Sequence, residues 1–181
     1  IVMEIQRPII ESEETARKDM PADRTQPAWL QAQHSLPFRD LSDDEFEVFS
    51  YLLLLRESPD DHVVYYGKTG DAGRDIVRIG KDGLIELIQC KRYTANVGIG
   101  EIRAELAKLC VNLFTKLIPL TPDRVTFYAV PDLTSPAKDL LENQSSWLEV
   151  CEDAIKAHLG EKPSSELLVF AKGWWPKTEH V

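Results

Sequence analysis

Two short segments rich in branched apolar residues, separated by a glycine-containing turn, are the clearest pattern in the chain. The first runs from Arg74 to Ile79 and the second from Leu84 to Lys91, and runs of Ile, Leu and Val of this length favour β-strands. Between them, Lys81-Asp82-Gly83 provides a three-residue loop in which glycine takes the left-handed position. The pattern therefore predicts a β-hairpin.

The residues that face each other across the turn select the register of this hairpin. With a three-residue loop, Arg78 lies opposite Glu86, a pair of opposite charges, and Asp75 lies opposite Gln89. A two-residue loop would shift the pairing by one residue and lose the charge match. Because side chains alternate along a strand, Gln89 and Lys91 share the face of Asp75, with Lys91 about 7 Å farther along. The sequence predicts three polar groups together at one end of an otherwise apolar face.

The rest of the pattern predicts helices and strands around the hairpin. Ser42 and Glu45 form a capping box that opens a helix to about Arg56. Apolar residues at helical spacing predict a second helix over about residues 98–117. The other predicted elements are strands at 62–66, 124–130 and 166–172, and helices from 135 to about 143 and from 147 to 159. The predicted order is αβββαβααβ.

The two ends of the chain differ from this folded part. Residues 1–28 are polar and charged and contain three prolines, which indicates an irregular or short helical arm. Residues 29–175 are expected to form one domain, which suits a chain of 181 residues. Residues 176–181 are expected to begin a linker or to mark a truncated end.

Charge is unevenly distributed along the chain. The 21 basic and 30 acidic residues give a net charge of −9, which disfavours tight non-specific binding to DNA. Between Lys68 and Lys108, however, eight basic and six acidic residues leave a local excess of two positive charges. A local basic track is therefore expected near the hairpin, with other domains or subunits supplying further affinity.

The sequence predicts no paired-cysteine site, no membrane span and no nucleotide site. The three cysteines form no C-x-x-C pair, and an odd count without a signal peptide predicts a reducing, cytoplasmic setting. No apolar run approaches the length of a membrane span. Gly67-Lys68-Thr69 resembles the end of a phosphate-binding loop, but His62 stands where its first glycine belongs, so no nucleotide site is predicted there.

Taken in order, the polar positions resemble a known family. The helix signal at 41–47, the segment 70–75, the triplet Gln89-Cys90-Lys91 with Arg92-Tyr93, and the segment 97–102 follow one another as in the restriction-endonuclease-like PD-(D/E)xK nucleases, and in detail they look like the Mrr subgroup. The resemblance covers about residues 40–130. It implies an α/β fold with a restriction-endonuclease-like core, in which helices flank a central mixed β-sheet (αβββαβ), with additions at the C-terminal end.

The resemblance also implies an Mg²⁺-dependent deoxyribonuclease that hydrolyses phosphodiester bonds, with Mn²⁺ as a substitute ion. It assigns catalysis to Asp75, Gln89 and Lys91. As metal ligands it implies Asp75, the side-chain oxygen of Gln89 and the backbone carbonyl of Cys90, together with Glu47 on the first helix. Gln89 departs from the wider superfamily, in which most members have Glu or Asp, although the Mrr-like branch often has glutamine at this position.

The residues leave alternatives open at two of the acidic positions. Asp71, in a glycine loop, is either a rival metal ligand or a turn residue. Glu47 either faces the metal or is a solvated carboxylate in the first turn of its helix, where the helix dipole favours it.

Double-stranded DNA is the expected partner, with contacts from Lys68, Arg74, Arg92 and Tyr93. The pair Arg92-Tyr93 equally fits a strand end with an aromatic cap. Further domains of a longer chain and a homo-oligomer are also expected, because Mrr-like domains often serve as the N-terminal effector of a restriction or antiviral defence protein. The alternative function is a non-catalytic module that keeps the nuclease fold for nucleic-acid binding or assembly.

Overall fold

The computed structural model describes residues 38–67, 73–174 and 177–180. The predicted N-terminal arm at 1–28, Lys68 and Asp71 lie outside the described residues. Within the described part, no helix is both long enough and apolar enough to cross a membrane.

A five-stranded mixed sheet forms the centre of the described structure, with the strands in sequential order. The first three strands pair antiparallel, and the third to fifth pair parallel. The strands are β1 (His62–Tyr65), β2 (Ile76–Ile79), β3 (Ile85–Arg92), β4 (Arg124–Val130) and β5 (Lys177–His180). The helices are α1 (Asp43–Glu57), α2 (Ile99–Phe114), α3 (Ser135–Glu142), α4 (Gln144–Leu159) and α5 (Ser165–Gly173), after a short 3-10 turn at Phe38–Asp40. This arrangement confirms the predicted α/β class and the restriction-endonuclease-like core.

The start of α1 follows the predicted capping box. The hydroxyl oxygen of Ser42 accepts a hydrogen bond from the backbone N–H of Glu45 (3.2 Å), and the Glu45 carboxylate accepts one from the backbone N–H of Ser42 (2.6 Å). These two bonds satisfy N–H groups that the helix itself leaves without a partner.

The hairpin formed by β2 and β3 has the predicted register. Ile76 pairs with Ile88 and Arg78 pairs with Glu86. The loop closes through a hydrogen bond from Gly83 N–H to the Gly80 carbonyl (2.9 Å), and Gly83 has a φ of 81°. Glycine is required there because other residues rarely adopt a positive φ. The same register puts Asp75, immediately before β2, level with Gln89.

Each face of the sheet packs against helices. Side chains at even positions of the hairpin, including Ile76 and Ile88, join the buried cluster under α1. Side chains at odd positions, including Val77 and Leu87, join the cluster under α2. Alternation along the strands therefore directs the side chains of Gln89 and Lys91 towards α2, and that of Cys90 towards α1.

The prediction of a strand at 166–172 is wrong, because these residues lie in α5. Ser164 caps this helix by accepting a hydrogen bond from Leu167 N–H (3.2 Å). Leu167 and Ala171, four residues apart, are buried, whereas Val169 is 72% exposed. A strand would have put Leu167 and Val169 on the same face. The last strand of the sheet is instead β5, which lies within the range expected to begin a linker.

Candidate active site

Asp75 lies at the end of the hairpin opposite to the turn, where its carboxylate is surrounded by hydrogen-bond donors. Gln89 Nε2 donates to both carboxylate oxygens (3.1 and 3.0 Å), and the backbone N–H of Cys90 donates to Oδ2 (2.6 Å). Asp75 is 5% exposed and Gln89 is 6% exposed. The structure thus brings these two residues into direct contact, as the register predicts.

The amide of Gln89 lies close to Gly73. A Cβ atom on Gly73 would stand 3.8 Å from Gln89 Oε1, and Gly73 has a φ of 87°. Rotation of the amide about its terminal bond exchanges its oxygen and nitrogen, which have nearly the same shape. Gln89 can therefore present either an oxygen or an N–H group beside Asp75.

Lys91 points towards α2, where it forms an ion pair that sequence analysis did not identify. Its Nζ lies 2.8 Å from Glu105 Oε1, and the two side chains are only 13% and 20% exposed. Burial lowers the pKa of Lys91, but the charge of Glu105, its hydrogen bond and the charge of Asp75 together outweigh burial and raise the pKa above its ordinary value. Lys91 therefore carries a positive charge at neutral pH.

Glu105 is shared with a second lysine. Its Oε2 lies 3.6 Å from Lys108 Nζ, three residues later in α2. The apolar spacing that predicts α2 gives no role to Glu105 or Lys108. The available signal was an acidic and a basic residue three positions apart, a spacing that brings side chains together on a helix.

On the opposite face, Glu47 and Cys90 lie between the sheet and α1. The Tyr65 hydroxyl donates a hydrogen bond to the Glu47 carboxylate (3.3 Å). Burial, followed by the charges of Asp75 and Glu47, raises the pKa of the Cys90 thiol well above its usual range, although a hydrogen bond with Ser50 opposes this. Asp75 and Glu47 thus act on one buried thiol from different elements, and that thiol stays protonated.

The three predicted DNA contacts within the described residues differ in exposure. Tyr93 is 41% exposed. Arg92 is partly buried, with its guanidinium 3.7 Å from the Asp43 carboxylate. Arg74 is 1% exposed, and its guanidinium lies 4.2 Å from the centre of the Tyr66 ring. Arginine stacks well on an aromatic face, and this packing accounts for its burial.

The oxygen atoms near Asp75 suit a hard divalent cation. The described residues contain no group of three or more His, Cys, Asp or Glu side chains that could hold a metal ion, so a site here depends on mixed donors. Asp75 would supply a carboxylate and Gln89, after rotation of its amide, a side-chain oxygen. Mg²⁺ keeps several waters and is usually bound by one or two carboxylates, so this set fits the ion.

Comparison with known proteins identifies one family. The family model Mrr_cat, described as restriction endonuclease, matches residues 38–146. No curated protein and no solved structure gives a significant match. The matched range contains β1 to β4, α1 to α3 and every side chain placed around Asp75 above.

Proposed function

We propose that this chain, which belongs to the Mrr_cat family of restriction endonucleases, is an Mg²⁺-dependent endonuclease that hydrolyses phosphodiester bonds in double-stranded DNA. The observation that carries the proposal is the contact between Asp75 and Gln89 at the end of the hairpin, with Lys91 on the same face. A buried carboxylate, an amide and a charged lysine on adjacent strands match what metal-assisted hydrolysis of a phosphodiester needs.

The residues that would hold the ion are Asp75, Gln89 through its side-chain oxygen and Cys90 through its backbone carbonyl, with Glu47 as a further carboxylate from α1. When bound, Mg²⁺ or Mn²⁺ would lower the pKa of a coordinated water and stabilise negative charge on the phosphate. The three hydrogen bonds that Asp75 accepts hold its carboxylate in place before the ion arrives.

Lys91 would stabilise the charge that develops on the scissile phosphate. Its ammonium group has three donor hydrogens, and the hydrogen bond to Glu105 occupies one of them. The remaining donors are available to the phosphate or to the attacking water. Because this lysine is only 13% exposed, its charge acts in an environment where electrostatic stabilisation is stronger than in water.

Cys90 is not the nucleophile in this proposal. Burial and the nearby Asp75 carboxylate raise the pKa of its thiol, whereas a reactive cysteine needs a lowered pKa. An attacking water is the better nucleophile for this site.

The wider role that we propose is that of an effector in a restriction or antiviral defence protein. Tyr93, Arg92 and Lys68 would contact the DNA backbone, and the rest of a longer chain or a second copy would add affinity. The sequence on either side of this segment tests that role, because a sensor or ATPase domain downstream would support it.

Plasmid nicking tests the activity directly. Supercoiled plasmid should be relaxed or linearised with Mg²⁺ or Mn²⁺, and EDTA should stop the reaction. Lys91→Ala is the matched control, because it removes the proposed catalytic ammonium group and should remove cleavage at equal protein concentration. A folded protein that binds the plasmid and never cuts it would support the non-catalytic module instead.

A further inference from the structure

Helix α2 brings a second lysine to the end of the hairpin that carries Asp75. Lys108 is 32% exposed at its side chain and has its Nζ 3.6 Å from Glu105 Oε2, while the other oxygen of Glu105 binds Lys91 at 2.8 Å. One carboxylate therefore lies between two ammonium groups. The two lysines come from different elements, β3 and α2, and meet only in the folded protein.

Lys108 and Gln89 both lie close to Gly73. A Cβ atom on Gly73 would be 3.3 Å from Lys108 Cε and 3.8 Å from Gln89 Oε1. The stem of Lys108 and the amide of Gln89 thus both lie within 4 Å of the place where a side chain at position 73 would begin. Lys108 therefore lies close to the proposed metal ligand Gln89, although the two residues come from different elements of the fold.

The charge of Glu105 needs both lysines. Its Oε2 atom is buried and has no hydrogen-bond partner within the described structure, and a carboxylate removed from water is costly unless cations balance it. Each ammonium group still keeps donors that Glu105 does not use. The arrangement holds two positive charges next to the hydrolytic site without neutralising either of them fully.

We propose that Lys108 binds a backbone phosphate of the DNA strand being cut, and that Glu105 is a positioning residue that holds Lys91 and Lys108 at the site. The proposal rests on the nuclease function described above and adds a binding residue and a positioning residue to it. An ordinary helix pair at this spacing is exposed and contributes little, whereas this one is partly buried and shared with Lys91. The partner is a phosphate rather than a second cation, because two ammonium groups repel a metal ion.

Binding of a short fluorescent DNA duplex, measured by anisotropy in EDTA over a range of salt concentrations, tests Lys108 without cleavage. Lys108→Met should weaken binding about fivefold near physiological salt and make the salt dependence of binding shallower by about one unit, the value for one lost phosphate contact. Lys108→Arg should restore both. Lys172→Met, at an exposed lysine of α5, is the matched control and should change neither.

Glu105→Gln tests the positioning role by a pair of opposite effects. Loss of the carboxylate should tighten DNA binding, because it removes a negative charge beside the phosphate. It should lower kcat by about tenfold to a hundredfold, because Lys91 loses the group that orients it. Glu105→Asp should recover part of kcat. A purely structural residue would instead lower binding, kcat and the melting temperature together.

The outcomes separate this inference from the proposed nuclease function. Suppose that the wild-type protein binds and cuts DNA, while Lys108→Met binds DNA as tightly as the wild type and the Lys172→Met control do. Lys108 is then not a phosphate contact. An unchanged kcat in Glu105→Gln would remove the positioning role. A wild-type protein that neither binds nor cuts DNA would overturn both the nuclease function and this inference.

Discussion

Both ends of the β2–β3 hairpin contain buried polar side chains, but the partners that bind these side chains differ between the two ends. Near the turn, Arg78 forms a 2.7 Å ion pair with Glu86 and also contacts Ser58 (3.5 Å) and Asp61 (3.9 Å). The second oxygen of Glu86 accepts a hydrogen bond from the Thr126 hydroxyl. Both charges of this pair are matched within the fold.

At the other end, the carboxylate of Asp75 receives hydrogen bonds from neutral donors, the Gln89 amide and the Cys90 backbone. The cation on the same face, Lys91, is bound to Glu105 instead. The Asp75 carboxylate is thus held by a fixed backbone N–H and by a side-chain amide that can rotate, and its charge also raises the pKa of the nearby Lys91.

Buried polar side chains alone therefore do not identify a functional site. The Arg78 end has a shorter ion pair (2.7 Å) and a buried glutamate, Glu86. Burial and then the charge of Glu86 raise the pKa of Tyr128 to about 12, although the charge of Arg78 opposes this. The charges of the Arg78 end nevertheless complete one another. What distinguishes the Asp75 end is that a rotatable side-chain amide, that of Gln89, contacts its carboxylate, which makes this end the candidate for a ligand.

The largest effect should come from removing the charged groups of the Asp75 end. Asp75→Ala and Lys91→Ala should each lower DNA cleavage on the order of a thousandfold or more, since each removes charge stabilisation at the reacting phosphate. Lys91→Ala should leave metal binding nearly intact, whereas Asp75→Ala should lose it. Nicking assays and Mn²⁺ titration calorimetry measure the two effects.

Folding must be checked for both variants. Asp75→Ala leaves the buried N–H of Cys90 without its acceptor, at a cost of about 1–3 kcal/mol, so far-UV circular dichroism should precede each assay. If either variant, correctly folded, cut DNA at the wild-type rate, the assignment of that residue would be wrong.

Gln89 gives the next largest effect and tests whether the reorienting amide is a ligand. Gln89→Glu should tighten Mn²⁺ binding in the absence of DNA, because it adds a negative charge to the set, and should keep at least partial activity. Gln89→Leu should lose both metal binding and cleavage. Titration calorimetry on the three proteins without DNA is the measurement. Unchanged affinity in both variants would exclude Gln89 as a ligand and direct attention to Glu47 or Asp71.

Arg78→Met tests the end of the hairpin near the turn, where we expect an effect on stability alone. Loss of Arg78 leaves the buried Glu86 carboxylate without its cation, which should lower the free energy of unfolding by about 2 kcal/mol, less than for a fully buried pair because Arg78 is partly exposed. Adding Glu86→Gln should recover part of this loss. Urea denaturation gives the stability, and cleavage per folded molecule should stay unchanged. A large loss of cleavage at full folding would mean that this end also serves the site.

The smallest effect compares two glycines at opposite ends of the hairpin. Gly73 and Gly83 have similar φ values of 87° and 81°, so alanine at either position should cost about 1 kcal/mol of stability. Only Gly73→Ala should also weaken DNA binding, because its Cβ would press on Lys108, whereas nothing lies within 4 Å of a Cβ on Gly83. Equal effects on DNA binding would show that Gly73 does not set the position of Lys108.

The sequence by itself was sufficient for the hairpin, its register and the contact between Asp75 and Gln89. These follow from short-range rules: a three-residue turn with glycine at a positive φ, a cross-strand charge pair and strict alternation of side chains. The capping box of α1 is local in the same way. Interactions within about fifteen residues leave few alternatives, so the pattern of residues was enough to predict them.

Only the tertiary structure decided which distant side chains meet there. Glu105 reaches Lys91, and Lys108 reaches Gly73, because α2 packs on the face of the sheet that carries Lys91. The burial of Arg74 likewise depends on the Tyr66 ring against which its guanidinium packs. Residues 166–172 form a short apolar run that suits a strand or a helix equally. The helix forms because it lets Leu167 and Ala171, four residues apart, both be buried against the core. Such choices depend on packing between elements far apart in sequence, which no local pattern contains.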